Sequence, residues 1–371
     1  MLKKLASIFK SGRREFEAFQ IEISTYSSLE CHICPRAVFA EQWIFQNMSL
    51  ETFQNIGRYF HSTKWVAIRG WGEPLENENI IPMLRLAKEK DSLTSLTTNG
   101  IHLTGDLSHH LLTSGLDLLI ISLELATPEI KESLPIGSDF KRILGQIEGF
   151  IQLRKKLRRN TPTVKLSFPM TRLNMPALPS LVPLAKKLGV DEVIFTNLDY
   201  LPEERWNILR AFHHESPTTA FQQIIDELHR RGKELGIAIK TYPLKAEEQP
   251  VCEANPIKAV FFPVDGSVAP CLYLRIPKKG NIPRIFMNKE YLVPQTFFGN
   301  INKEDFLETW NRESYKKFRE IFEERRRAKK DMRQILDAFA NVGSSGLESE
   351  APKEPPPLSP VCQTCYKAYG L

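Results

Sequence analysis

FQIEISTYSSLECHICPRAVF, residues 19–39, is where a reading of this chain best begins. FQIEIS reads as a buried strand, the next stretch as a loop carrying Cys31 and Cys34 in a C-x-x-C spacing, and Pro35 onward as the start of a helix. That order is the opening of a βα unit, in which functional groups sit in the loop at the strand's C-terminal end.

The pattern repeats outward. A helix near 50–60 follows FQIEIS, WVAIRG precedes one over 79–90, LTSLTTNG one over 106–114, and LDLLIISLEL one over 138–159. VKLSFPMT is followed by a helix over 176–188 and DEVIFTNL by one over 217–236. About six consecutive βα units imply an α/β fold with a parallel sheet, and their uninterrupted run favours a partial TIM-like (β/α)6 barrel over an open doubly wound sheet. The barrel core is expected over 19–245, after a basic helix over 1–18.

Beyond residue 245 the alternation stops, so 246–371 reads as a second, smaller domain. AVFFPVDGSVAPCLYL looks like a hairpin turning at Asp265-Gly266. A helical stretch runs from Lys303 to about Ala340, and residues 343–360 read as a flexible or extended Pro-rich linker that returns the final C-x-x-C to the body of the protein.

The chain has 371 residues, 42% of them hydrophobic and 25% charged, which suits a protein with an ample core. No apolar run approaches the roughly 18 residues that span a bilayer. The basic start MLKKLASIFKSGRREFEAF lacks the continuous apolar core and cleavage site of a secretory signal, so a cytoplasmic protein without membrane contact is expected. The net charge of +6 is mild, and the basic runs 154–159 and 325–330 read as solvated helix faces rather than a nucleic-acid surface. The six cysteines fall as an early pair, Cys31 and Cys34, and a late set, Cys252, Cys271, Cys362 and Cys365. In a reducing compartment such pairs hold zinc or iron–sulfur clusters or do thiol chemistry more often than they form disulfides. By spacing alone the late set also permits a structural zinc site.

Other candidates lie at the strand ends. Gly70-Trp71-Gly72-Glu73-Pro74 gives a backbone with little side-chain cover beside one carboxylate, suited to a ligand ammonium or simply to a tight turn. Ser122 and Glu124 point to one face of their strand, lining the barrel mouth or satisfied within the core. Arg172 could pair with a carboxylate ligand or with a surface acid. His32 is the one histidine placed suggestively.

Taken together, these pieces resemble the radical SAM superfamily, specifically members with a C-terminal SPASM-type domain that mature peptides or proteins. SSLECHIC, GWGEP, TTNG and ISLELATPEI follow the family's cysteine loop, G-G-E-P-like turn, T-N-G and S-x-E segments, in order and on the expected strands. VDGSVAPC with the late cysteines is similar to the SPASM pattern. The resemblance implies that Cys31 and Cys34 bind iron of a 4Fe-4S cluster whose open site chelates S-adenosylmethionine. Glu73 would meet the methionine ammonium, with Gly70 and Gly72 allowing close approach. Ser122 and Glu124 would approach the ribose, Arg172 the methionine carboxylate, and the Ile33 backbone the adenine. Cys252, Cys271, Cys362 and Cys365 would hold an auxiliary 4Fe-4S cluster. A peptide or protein substrate and an electron donor such as a ferredoxin or flavodoxin are the implied partners.

One residue departs from the pattern. Ser27 occupies the place of the first cluster cysteine, and a hydroxyl is a far poorer soft-metal ligand than a thiol. The cluster then uses Ser27, His32 or an exogenous third ligand, or the chain is a degenerate enzyme that keeps only the auxiliary cluster, or the early site binds no cluster. Glu124 for aspartate and Leu125 for glycine are further departures.

Overall fold

A computed structural model of the chain describes residues 14–29, 31, 33–123, 140–212, 218–341 and 354–371. Eight strands form its main sheet: β1 (Phe16–Ile21), β2 (Thr63–Ile68), β3 (Leu93–Thr98), β4 (Leu118–Ser122), β5 (Thr163–Met170), β6 (Glu192–Asn197), β7 (Ala238–Thr241) and β8 (Ala259–Phe262). Their order is β7-β6-β5-β4-β3-β2-β1-β8, and every neighbouring pair is parallel.

Helices α1 (Pro35–Val38), α2 (Leu50–Gly57), α3 (Ile80–Glu89), α4 (Gly105–Thr113), α5 (Phe140–Lys156), α6 (Leu178–Leu188) and α7 (Thr219–Leu235) fill the connections from β1 to β7. Because β1 to β7 lie side by side in chain order, each crossover turns the same way and the main helices pack on one face. The other face is the inside of a partial barrel whose open edges are β7 and β8.

Strand alternation separates the two faces. In β5, Val164, Leu166, Phe168 and Met170 are buried in the helix-side core, while Lys165, Ser167 and Pro169 between them are only half-buried and face the hollow. Local signals set the helix ends. The Ser49 hydroxyl accepts the Thr52 N–H at 3.1 Å to begin α2, and α7 ends at Gly236, whose φ of +63° suits a residue without Cβ.

The structure corrects several expectations. The sheet has two more strands than the six read from sequence. The four-residue β7 is too short to stand out as a pattern, and β8 joins β1 in parallel as well as forming the first arm of the expected hairpin. That hairpin is present: Phe261 and Ala269 exchange both backbone hydrogen bonds at 2.9 Å, and Gly266 turns the chain at φ +74°.

β1 begins at Phe16, inside the stretch assigned to the N-terminal helix over 1–18. Phe16 pairs in register with Thr63 and packs its ring 4.9 Å from Trp310, which draws FEAF into the sheet. Residues 1–13 lie outside the described residues. The basic runs are not wholly solvated either. Arg154 is buried, donating to Asp191 and the Pro162 carbonyl, and Arg325 is 3% exposed.

The second part of the chain adds the antiparallel pair β10 (Ile282–Phe286) and β11 (Lys289–Val293), and the short pair β9 (Ser267–Val268) and β12 (Gly299–Asn300). α8 (Phe306–Asn311) and α9 (Glu313–Asn341) follow. The described part of the Pro-rich linker, 354–360, is packed: Leu358 is buried, and Arg325 of α9 donates to carbonyls of Pro356, Gln249 and Pro250. One guanidinium thus ties the returning tail to the segment before Cys252. Among the described residues no helix is long and apolar enough to cross a membrane.

Candidate metal and ligand centres

The turn after β2 and the loop after β3 are held together by one carboxylate. Glu73 is 2% exposed, and its Oε1 accepts from the Leu75 N–H at 3.0 Å and the Thr98 hydroxyl at 2.7 Å. Its Oε2 accepts from the Asn99 N–H at 2.7 Å, and its own N–H donates to the Tyr26 carbonyl in the loop after β1. Burial raises its pKa against the pull of these donors. A carboxylate offers about four lone-pair sites, so one on Oε2 remains for a further donor.

Gly70 and Gly72 serve the chain itself. A Cβ on Gly70 would stand 2.4 Å from Glu22 Cγ, and one on Gly72 would stand 2.4 Å from the Ser24 carbonyl oxygen. The bare backbone expected to admit a ligand is therefore already packed against the end of β1. Glu22, which the sequence reading passed over, is fully buried; burial pushes its pKa up to about 8 despite the Trp71 N–H donated to Oε1 at 2.7 Å. Among the described residues its Oε2 has no hydrogen-bond partner.

In the early cysteine loop, Cys31 is buried and Cys34 caps the single helical turn α1, which aims both sulfurs at one spot. The two are joined as a disulfide with a Cα–Cα distance of 5.4 Å, where the sequence reading expected a reduced, metal-binding pair. Convergence of the sulfurs explains the difference, since the geometry that lets two thiolates share a cluster also lets them meet. Ser27 is half-buried in the same loop and accepts from the Leu29 N–H at 3.4 Å. Ile33 is half-buried beside the pair, and His32 lies outside the described residues.

The neighbouring Ser28 hydroxyl meets His102 Nε2 at 3.0 Å, and Glu76 Oε1 meets the same nitrogen at 2.9 Å. Burial works to raise the Glu76 carboxyl, but hydrogen bonds from His102 and Ser28 hold it low. This bracing of the cysteine loop by the T-N-G loop was invisible in the sequence, where His102 is a lone histidine.

Ser122 ends β4 in register with Ser167, on the hollow side. Glu124 lies outside the described residues. Arg172 is exposed after β5, its N–H bonded to the Leu209 carbonyl at 2.9 Å.

The late cysteines come together. Cys252, Cys271, Cys362 and Cys365 are free thiols, and Cys252, Cys271 and Cys362 each lie close enough to others of the set to feel their charge. Burial, with this mutual repulsion added, pushes Cys252 up to about 12 and holds Cys271 and Cys362 well above the usual thiol range. Three buried thiols held from ionising, with Cys365 beside them, suit a cationic cluster, whose charge would favour the thiolates. Among the described residues no three His, Cys, Asp or Glu side chains close around a single metal ion.

Arg284, also missed from sequence, is nearly buried and donates to the Val361 carbonyl at 2.9 Å and the Tyr273 carbonyl at 2.8 Å, so it fastens the Cys362 segment to the Cys271 segment. Trp71 connects the two centres. Its Nε1 donates to the Leu272 carbonyl at 3.0 Å, and its ring meets Tyr273 edge-on at 5.8 Å. The early turn and the Cys271 loop therefore share one wall of the hollow.

The SPASM model, described as an iron-sulfur cluster-binding domain, matches residues 252–334, which hold Cys252 and Cys271. The chain thus carries a SPASM domain in its C-terminal part, and its parallel sheet and the relatives below are similar to those of radical SAM proteins.

A particular relative is the tungsten-containing aldehyde ferredoxin oxidoreductase cofactor-modifying protein of Pyrococcus furiosus, 24% identical over 81% of this chain and 82% of the relative. A probable GTP 3',8-cyclase of Saccharolobus solfataricus is 23% identical over 70% of this chain and 84% of that protein. Among solved structures, Streptococcus suis SuiB bound to S-adenosylmethionine superposes with a TM-score of 0.60 at 16% identity, covering 86% of this chain and 71% of SuiB. SuiB bound to its precursor peptide SuiA gives 0.57 at 15% identity, over 86% and 70%. At these identities the solved structures speak to the fold.

Proposed function

We propose that this chain is a radical SAM/SPASM oxidoreductase or maturase that reductively cleaves S-adenosylmethionine to act on a peptide or protein. The observation that carries this reading is the junction at Trp71, which sets the turn at Glu73 and the Cys271 loop on one hollow. The relatives named above point to the same class, and SuiB's precursor peptide supports a peptide substrate.

Cys31 and Cys34, once an external dithiol has reduced their disulfide to two thiolates, would with Ser27 as third donor be the residues for a 4Fe-4S cluster, and Cys252, Cys271, Cys362 and Cys365 those for the auxiliary one. Reduced by a ferredoxin or flavodoxin, the first cluster would supply the electron that breaks the C5′–S bond and yields a 5′-deoxyadenosyl radical to abstract substrate hydrogen. The chain's own part is positioning. Glu73 offers its remaining lone pair to the methionine ammonium, within a turn whose shape Gly70 and Gly72 permit. Ser122 and Glu124 serve the ribose, Arg172 the carboxylate and the Ile33 backbone the adenine. Trp71 and Tyr273 give one wall of the hollow an aromatic lining.

The late set offers four soft donors for its cluster. The early site fits less well, with two sulfurs and a hydroxyl that already accepts a backbone N–H. This mismatch favours a second reading, a non-catalytic scaffold that keeps only the auxiliary cluster. Anaerobic reconstitution followed by dithionite and S-adenosylmethionine separates the two. Formation of 5′-deoxyadenosine supports the enzyme, and iron for one cluster without turnover supports the scaffold.

A further inference from the structure

Among the described residues, cations along the barrel hollow are, with one exception, matched inside the chain. Lys165 meets Glu192 at 2.5 Å, Lys367 meets Asp199 at 2.8 Å, and Lys240 lies 3.9 Å from Glu253. The exception is Arg69. It follows Ile68, whose fully buried side chain faces the helices, so alternation turns Arg69 to the hollow.

Register sets its height. Ile68 pairs with Leu96, and the next rung carries Thr97, Ile120, Lys165 and Glu192, two rungs below that of Ser122 and Ser167. Arg69 also stands directly before the turn of Gly70 to Pro74. Its side chain lies within electrostatic reach of Tyr242, Tyr273 and Glu253. Glu253 is already answered by Lys367 at 3.4 Å, and Asp199 accepts from the Tyr273 hydroxyl as well as from Lys367. Among the described residues the Arg69 guanidinium has no ion pair or side-chain hydrogen bond, and it is exposed to the hollow.

An unanswered guanidinium beside aromatic walls attracts an anion more strongly than one on an open surface, and its fork matches an oxyanion with two parallel hydrogen bonds. The geometry points to Arg69 as the anchor for a carboxylate or phosphate group of the substrate, placing that group two rungs beneath Ser122 and Ser167. The assignment rests on the proposed enzyme reading for its meaning in turnover, but the oxyanion site itself does not.

The test uses iron-loaded protein under anaerobic calorimetry, titrated with inorganic pyrophosphate in one arm and succinate in the other. Saturable binding of at least one is expected, weakened about tenfold by Arg69→Gln and less by Arg69→Lys, which keeps the charge without the fork. Preference for pyrophosphate would assign a phosphate-bearing substrate, and preference for succinate a carboxylate-bearing one. Absence of binding in both arms, or equal binding by wild type and by an Arg69→Gln protein of unchanged melting midpoint, overturns the anchor. Formation of 5′-deoxyadenosine without substrate is measured in parallel on both proteins. Its absence from wild type would count against the enzyme reading and leave an Arg69-dependent oxyanion site standing, whereas its presence with Arg69-independent binding would do the reverse.

Discussion

The two cysteine sets of this chain are built to different standards. The late four are drawn from three separated segments and tied together by buried cations, Arg284 across the Cys271 and Cys362 loops and Arg325 across the linker. The early pair lies in one short loop, closes on itself and has a hydroxyl where a third sulfur is expected. Long-range bracing around a complete donor set marks a centre on which the domain's packing depends. A local loop with an incomplete set marks one whose occupancy is decided by chemistry rather than by folding.

The largest effect should come from breaking the late set. Cys362→Ala should remove about four iron atoms per chain and, because metal binding is coupled to folding, lower stability by several kcal/mol or prevent soluble expression. Iron assay with thermal melting checks this, and a variant that kept its iron and melting point would place the cluster elsewhere. Ser27→Cys should sharpen the early set. Iron content should stay level while resistance to a chelator rises about tenfold or more, because thiolate replaces a weak oxygen donor. A gain of about four iron atoms together with newly acquired S-adenosylmethionine cleavage would show instead that the native loop holds no cluster.

A smaller loss is expected from Glu73→Gln. An amide cannot accept from Leu75, Thr98 and Asn99 with both of its terminal atoms, so one buried donor loses its partner at a cost of about 1–3 kcal/mol in denaturant unfolding. S-adenosylmethionine should also bind more weakly. An unchanged unfolding midpoint would mean that the T-N-G loop is held by other contacts.

A pH dependence is also expected between the two centres, at Glu22. Its folded pKa, about 8, lies above the ordinary 4.5, so the native state binds more protons than the unfolded state between those values. Its contribution to stability is complete below about pH 4.5 and is lost as pH rises through about 8. Glu22→Gln should flatten this part of the stability profile, and parallel wild-type and variant profiles from pH 5 to 9 would contradict it.

Much of the fold was legible because a parallel sheet repeats. Apolar strands of five to eight residues alternating with amphipathic helices leave a periodic trace, and the cysteine loop, the turn at 70–74 and the T-N-G loop fell at the strand ends where they were expected. β7 left no such trace with four residues, and Phe16 was assigned to a helix because its partners, Phe306 and Trp310, lie nearly 300 positions away. Cysteine positions announced both centres. What the sequence could not give was the support: Arg284 and Arg325 look like ordinary surface cations until the chain returns upon itself. Glu22 looks like the polar partner in an alternating strand, although its side chain fills the space that Gly70 leaves open.

The most direct single measurement is iron per chain in anaerobically purified wild type, taken with the yield of 5′-deoxyadenosine from that sample after dithionite and S-adenosylmethionine. About eight iron atoms, two 4Fe-4S clusters, with 5′-deoxyadenosine formed is the expected result. About four iron atoms with no 5′-deoxyadenosine would contradict it and leave the late four cysteines as the only cluster site.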